Sequence, residues 1–176
     1  QAAEFLYETR LSPDLEYTFK HALTHEVAYG GLLHDRQRAL HARITEAIER
    51  LSTERVAEQA ERLAHHALRG ELWEKALLYC RQAGVKAALR SAHQEAVGCF
   101  EQALVVVQHL PEHQDTREQA IDLRFSLRNA LLTLGEHRQA FEHLRAAEAL
   151  AAALNDQPRL GRACAYLAEY FRMTGD

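Results

Sequence analysis

The sequence predicts an all-α chain built as a solenoid of antiparallel helical hairpins, and three features carry that prediction. Small residues recur at helical spacing, as in Ala76/Cys80/Ala83, Ala96/Phe100/Ala103 and Ala140/Leu144/Ala147, so a second helix can lie close against each seam. Turn compositions punctuate the chain at regular intervals: Gly70-Glu71, Ser91-Ala92, Leu110-Pro111-Glu112, Gly135-Glu136, Asn155-Asp156-Gln157-Pro158 and Gly175. Between them Ala, Leu, Glu, Arg and Gln dominate, all strong helix formers, with only 3 Pro and 8 Gly in the chain to interrupt them. Units of this kind bury their apolar faces by stacking on neighbours, and the surfaces they build usually bind rather than transform.

The N-terminal segment differs from the rest. Glu4–Glu8 and Glu16–Lys20 interleave aromatic residues with charges, and Leu11-Ser12-Pro13-Asp14 between them is a turn composition, so a short β-hairpin is expected. Either it packs on the next helices, or it closes a domain lying upstream. From His21 the apolar period lengthens to that of a helix. Ala22, Leu23, Val27, Ala28 and Leu32 share one face of a short helix weakened at Gly30-Gly31. Asp35 can cap the next helix, whose stripe is Leu40, Ile44, Ala47, Ile48 and Leu51. Ser52 or Thr53 then caps a helix over 54–69, stopped by Gly70. Later helices are expected over 72–90, 93–109, 115–134, 137–154 and 157–174. Breaks this short between long helices force antiparallel neighbours.

Composition narrows the function classes. The chain is 47% hydrophobic and 26% charged, a soluble globular balance. A net charge of -4 gives no reason to expect nucleic acid as a partner. No apolar run approaches the ~18–20 residues needed to span a bilayer. No signal peptide is visible, so a cytoplasmic location is expected; a start at Gln1 without Met reads as a fragment. Cys80, Cys99 and Cys164 are odd in number, far apart and on apolar helix faces, which points to buried thiols rather than a disulfide or metal framework.

Histidine is the one abundant reactive type, with 11 copies. His25-Glu26 begins like a zinc-protease helix but lacks the second His four residues on. His21/His25 and His109/His113 have a spacing that can hold a metal, yet no third ligand is placed beside either pair. His65-His66 sits in a helix, so one ring is expected inward and one outward, and no Ser or Cys nucleophile lies near in a turn. Glu46/Arg50 and Glu58/Arg62 read as ion pairs on helix surfaces. Trp73, beside a turn, reads as a packing residue. No catalytic residue, cofactor or metal is assigned, and the chain is expected not to be an enzyme.

Several segments carry a resemblance. Leu127, Leu131, Gly135, Ala140, Leu144 and Ala147 form one unit, with Arg128 where a small residue is usual. Leu167-Ala168, Phe171 and Gly175-Asp176 form the first half of another, and Ala83-Gly84, Ala87, Ala96, Phe100 and Ala103-Leu104 a third. These resemble tetratricopeptide repeats, though the spacings from Ala96 to Ala140 and from Gly135 to Gly175 exceed the usual period of about 34 residues. Tyr17–Leu23, Val27-Ala28-Tyr29, Leu32-Leu33 and Arg36-x-Arg38-x-Leu40-His41-x-x-Ile44, with Leu63-Ala64-His65-His66 and Trp73-x-x-Ala76-x-x-Tyr79 after them, resemble bacterial STAND-class AAA-type signalling ATPases, including those fused to adenylate or guanylate cyclases or to transcription regulators.

The resemblance implies two regions: 1–53, the end of a winged-helix-like region, and 54–176, a repeat array whose last repeat is truncated. It implies no catalysis in this stretch, since no phosphate-binding loop is present. It further implies a concave groove lined by the first helix of each hairpin. Arg81, Val85, Ala88 and Leu89 would line it in one repeat, Asp122, Phe125, Asn129 and Leu132 in the next, and Arg162, Ala165 and Glu169 in the last. The partner would be a protein or peptide, or the parent's own upstream ATPase or cyclase domains. Self-association through an apolar face of the last helix (Leu160, Cys164, Leu167, Phe171) is the rival expectation.

Overall fold

A computed structural model describes residues 6–10, 16–19 and 21–175. From residue 21 onward its regular structure is helical: α1 (Ala22–Gly30), α2 (His34–Leu51), a 3-10 segment (Thr53–Gln59), α3 (Ala60–Arg69), α4 (Trp73–Leu89), α5 (His93–Val107), α6 (Gln114–Thr133), α7 (His137–Ala153) and α8 (Gln157–Thr174). Each helix from α3 to α7 packs chiefly on the one before and the one after, with α2 on α3 and α8 on α7, the arrangement of an α-solenoid. At the N-terminal end Leu6–Arg10 and Glu16–Phe19 run antiparallel as β1 and β2. The turn of the expected hairpin, 11–15, lies outside the described residues. No described helix is long and apolar enough to cross a membrane.

The joints between helices repeat one backbone solution. Glu71, Ser91, Gly135 and Asn155 take left-handed φ values of 53°, 61°, 79° and 54°. The N–H of the next residue donates to the carbonyl five residues back: Leu72 to Ala67, Ala92 to Ala87, Glu136 to Leu131 and Asp156 to Ala151, at 2.9–3.0 Å. That is the Schellman bond, which satisfies a carbonyl the helix end would otherwise leave open. The same residue's own carbonyl then accepts the first bond of the next helix, from Ala76, Ala96, Ala140 or Leu160. One turn therefore closes a helix and opens another. Gly70, expected as a left-handed stop, is not one: its φ is -83°, and Glu71 takes that role. Gly70 serves close packing instead, since a Cβ there would meet the Ala42 backbone nitrogen at 2.9 Å.

Small residues form the seams. Ala76, Ala96, Ala103, Ala140 and Ala147 are all 0% exposed. One core runs from Ile48 of α2 through α3, α4 and α5 to Leu123, Leu127 and Leu131 of α6. A second joins Ile121 and Phe125 of α6 to Leu144, Ala147, Ala163 and Leu167. Helix α6 belongs to both. Within the first core, Gly84 lets the buried Phe100 ring lie on the α4 backbone, for a Cβ there would sit 2.5 Å from the ring.

Three expectations need correction. The helix expected over 54–69 is broken: its first half is 3-10, with Arg55 at φ -130°, and only Ala60–Arg69 is α-helical. Neither expected ion pair, Glu46/Arg50 or Glu58/Arg62, forms among the described residues; Arg62 donates to Gln59 instead, and the neighbouring acids Glu49 and Glu61 reach across to α4. Glu49 takes Lys75 at 2.6 Å, and Glu61 takes Lys86 at 2.8 Å. Cys80 is buried and Cys99 half-buried, but Cys164 is exposed, since no helix covers that side of α8.

The glycines and the turns set the expected response to substitution. Gly84→Ala forces the Phe100 ring aside, a small-to-large change costing about 1–3 kcal/mol against about 1 kcal/mol of helix propensity gained. A net loss is expected in urea unfolding. Gly98→Ala on the neighbouring helix α5 meets nothing within 4 Å and is expected to stabilise. Ser91→Gly relieves a left-handed non-glycine residue and is expected to raise stability by about 0.5–1 kcal/mol.

Candidate functional site

Helical spacing places Leu78, Arg81, Gln82, Val85 and Leu89 on one side of α4. Three of them are large apolar residues left in solvent: Leu78 is 47%, Val85 46% and Leu89 83% exposed. They form a ridge. On one side of it lies a depression of about 600 Å³, bounded by Ala57 and Glu58 of the 3-10 segment and by Arg81, Gln82, Lys86 and Arg90. On the other lies one of about 320 Å³, bounded by Ser126, Asn129, Ala130 and Thr133 of α6, with His93 and Phe100 of α5. Val85 and Leu89 border both. Gln82 Oε1 and His93 Nδ1, at the edges of these depressions, are buried without a hydrogen-bond partner.

The groove residues expected from sequence divide into three groups. Arg81, Val85, Ala88, Leu89 and Asn129 come together at the ridge and its depressions. Arg162 and Glu169 belong to a separate cluster around Tyr166. There Arg162 lies over the Phe125 ring at 4.6 Å, and Arg128 lies over Tyr166 at 4.2 Å while pairing with Glu169. Asp122 is held by Arg159 at 2.9 Å, and Ala165 is exposed nearby on α8. Phe125 and Leu132 do not line a groove. Phe125 is 1% exposed because α8 lays Tyr166 and Leu167 against it, and Leu132 packs on the first core. Sequence reasoning misses Leu78, although its spacing to Val85 and Leu89 is there to read. Arg128, 8% exposed, stands out in the sequence only as a departure from the small residue expected.

A second polar constellation joins α1, α2 and α3. The Tyr29 hydroxyl meets His41 Nε2 at 2.8 Å, and His41 Nδ1 meets His66 Nδ1 at 2.8 Å. His66 points inward and His65 is exposed, one of each as expected. Between two Nδ1 atoms this close only one proton fits, so a second would break the contact. Burial, then the charges of His41, His65, Arg62 and Arg69, push His66 down to about 4. Burial and the charges of His65 and Arg69 push His41 down as well. Elsewhere burial raises Glu49, but hydrogen bonds from Lys75 and Tyr79 outweigh it and leave the carboxyl below its usual range. Burial lifts the Cys80 thiol to about 12, so it is held as an unreactive thiol. Trp73 stacks on His109 with ring centres 4.1 Å apart, a packing role, and His113 stands at the start of α6. Among the described residues no group of three or more His, Cys, Asp or Glu could hold a metal ion.

No family model matches the chain, and no curated protein matches it.

The imidazole contact gives a pH prediction. His66 titrates near 4 in the folded chain and near 6.5 when unfolded, so between those values the unfolded chain binds more protons. Stability is therefore expected to fall as pH drops from about 6.5 towards 4, read as a falling urea midpoint. His66→Gln is expected to start less stable at neutral pH by about 1 kcal/mol, yet to lose less on acidification. An equal acid slope in the two proteins would remove the contact from the explanation.

Proposed function

We propose that this chain is a non-catalytic protein-interaction and regulatory module, a tetratricopeptide-like repeat array belonging to a multidomain signalling ATPase of the STAND class. On this reading β1 and β2 with α1 and α2 end a winged-helix-like region, and the parent works in a reducing cytoplasm, in keeping with three free cysteines. A protein partner, or the parent's own upstream ATPase or cyclase domain, docks on the face of α4. Docking regulates by differential binding: whichever conformational state offers the better fit is favoured.

The apolar ridge Leu78/Val85/Leu89 carries this reading. It is exposed between two depressions, in a chain whose other seams are closed by small residues. Exposed apolar surface bounded by polar residues marks an interaction site more often than a structural accident.

In the full-length protein, Val85→Asp with Leu89→Asp is expected to change ATP turnover by about fivefold or more without lowering the melting temperature. The coding sequence upstream of Gln1 is expected to contain a Gly-x4-Gly-Lys-Ser/Thr loop. Unchanged turnover would reduce the array to a spacer. A second reading, self-association, keeps only part of the face expected for it: Leu160 and Leu167 pack into the second core, whereas Cys164 and Phe171 are exposed, with Met173 beside them. Light scattering across a concentration series separates the two, because self-association alone makes the apparent mass rise with concentration.

A further inference from the structure

Helix α1 is fastened to the array by polar contacts. Its large apolar residues Leu23 and Val27 are 69% and 68% exposed, and its chief packing partner is β2. The tie to α2 and α3 runs through Tyr29. Its hydroxyl meets His41 Nε2 at 2.8 Å, Arg69 donates to its oxygen at 3.5 Å, and Gln37 donates to its backbone carbonyl at 2.8 Å. The Tyr29 ring stands edge-on to the His41 ring, with centres 5.8 Å apart, and His41 is 7% exposed. Tyr29 is thus part of the cover that keeps water from His41.

These contacts form one directed chain. A guanidinium only donates, so the Tyr29 oxygen accepts from Arg69. A hydrogen on His41 Nε2 would set a second donor on that oxygen. The hydroxyl therefore donates to Nε2, and His41 carries its hydrogen on Nδ1, facing His66. An added proton reverses the direction. One hydrogen still lies between the two Nδ1 atoms, but both Nε2 atoms then carry one, and the Tyr29 oxygen faces two donors.

The proton also finds no counter-ion. The charges acting on the pair from α3 are those of Arg69 and His65, with Arg62 on His66 as well. On α1, Glu26 stands exposed a turn before Tyr29. Glu71, in the small pocket beside Tyr29 and Arg69, is taken by Arg38 at 2.9 Å, with His34 at 3.9 Å. A buried imidazolium without a carboxylate needs water. Lifting Tyr29 admits it. Parting α2 from α3 instead would break the packing of Ile48, Leu63 and Ala67 and the close fit of Gly70 on the Ala42 backbone.

We infer that α1 is an acid-released latch: neutral His41 and His66 hold it on α2 and α3 through Tyr29, and a proton taken up by the pair frees it while the rest of the array stays folded. The sign follows from linkage. His66 titrates near 4 while the latch is closed and returns towards 6.5 when it opens, so the open state binds the proton more tightly and falling pH favours it. Helix α1 lies between β2 and α2 in the chain, so its release uncouples the two strands from the helices that follow. The device does not depend on α4 docking a partner.

Amide hydrogen exchange of the 176-residue chain tests this, read by mass spectrometry at about pH 7 and about pH 4 and corrected for the intrinsic rate at each. Protection within 22–33 is expected to fall at least about tenfold at the lower pH, while α4 and α5 keep theirs. The double variant His41→Gln/His66→Gln keeps hydrogen-bonding side chains, removes both titrations and is expected to show no such fall. Tyr29→Phe keeps the ring, loses the hydroxyl and is expected to lower α1 protection about fivefold at neutral pH. Circular dichroism confirms that the variants fold. The latch is overturned if α1 is unprotected at neutral pH, if it stays protected in acid, or if α4 and α5 lose protection with it. An undiminished fall in the double variant overturns it too, and unchanged α1 protection in Tyr29→Phe does so by itself.

Discussion

The architecture depends on one backbone turn used four times. A left-handed residue ends α3, α4, α6 and α7, and the Schellman bond behind it fixes where the next helix begins. Because the turn is so short, successive helices have no choice but to run antiparallel and in contact. Close contact in turn demands small side chains where they touch, and Ala76, Ala96, Ala140 and Ala147 supply them with no exposed surface. The alanine seams are thus a consequence of the turns as much as a cause of the packing. Two left-handed positions carry Glu71 and Ser91, residues that bear a steric cost there. Glu71 offsets part of it by pairing with Arg38 of α2 at 2.9 Å.

Helix α6 shows what this geometry does to polar groups. It contributes to both cores, and nine of its twenty residues are buried. Arg128 is buried with it, and α8 supplies what offsets this: Glu169 as counter-ion and Tyr166 as a ring beneath the guanidinium, with Asn129 of α6 itself as acceptor at 3.0 Å, while Nε is left without a hydrogen-bond partner. Asp122 and Arg159 add a second tie from α6 to α8, with Asp156 capping the first turn of α8. The end of the array is therefore fastened by charge as well as by the second apolar core.

Much of this is legible in the sequence, and what is not has a common cause. Helix positions after residue 70 come from Gly, Pro, Asn and Asp at the joints, because those residues act locally. The break at Arg55 carries no such residue; it arises where 53–59 must pass between α2 and α3, a tertiary demand. The expected pairs Glu46/Arg50 and Glu58/Arg62 do not form; Glu49 and Glu61 pair with Lys75 and Lys86 of α4, about which spacing along one helix says nothing. Of the groove, the α4 residues are readable from their period. Phe125 and Leu132 are misplaced because Ser126, Asn129 and Thr133 border the depression, which turns Phe125 and Leu132 toward the cores. The imidazole contact of His41 with His66 lies beyond spacing altogether.

The two polar constellations are connected through one helix. Helix α2 carries His41 near its middle, where it meets His66 of α3, and Glu49 near its end, where it meets Lys75 and the Tyr79 hydroxyl of α4 at 2.6 and 2.5 Å. The ridge residues Leu78, Val85 and Leu89 stand on that same α4. Apolar seams have no preferred protonation state, so acid acts on the array where imidazoles and carboxylates take part: at His41, His66 and Glu49 of the α2–α3–α4 end, and at His143 of α7 and Asp156 before α8, all of which are held below their usual range. A change in how α2 sits on α3 cannot leave Glu49 unmoved, and Glu49 holds the first half of α4. The uncovered face and the titratable joint therefore share a mechanical neighbour, Glu49 of α2.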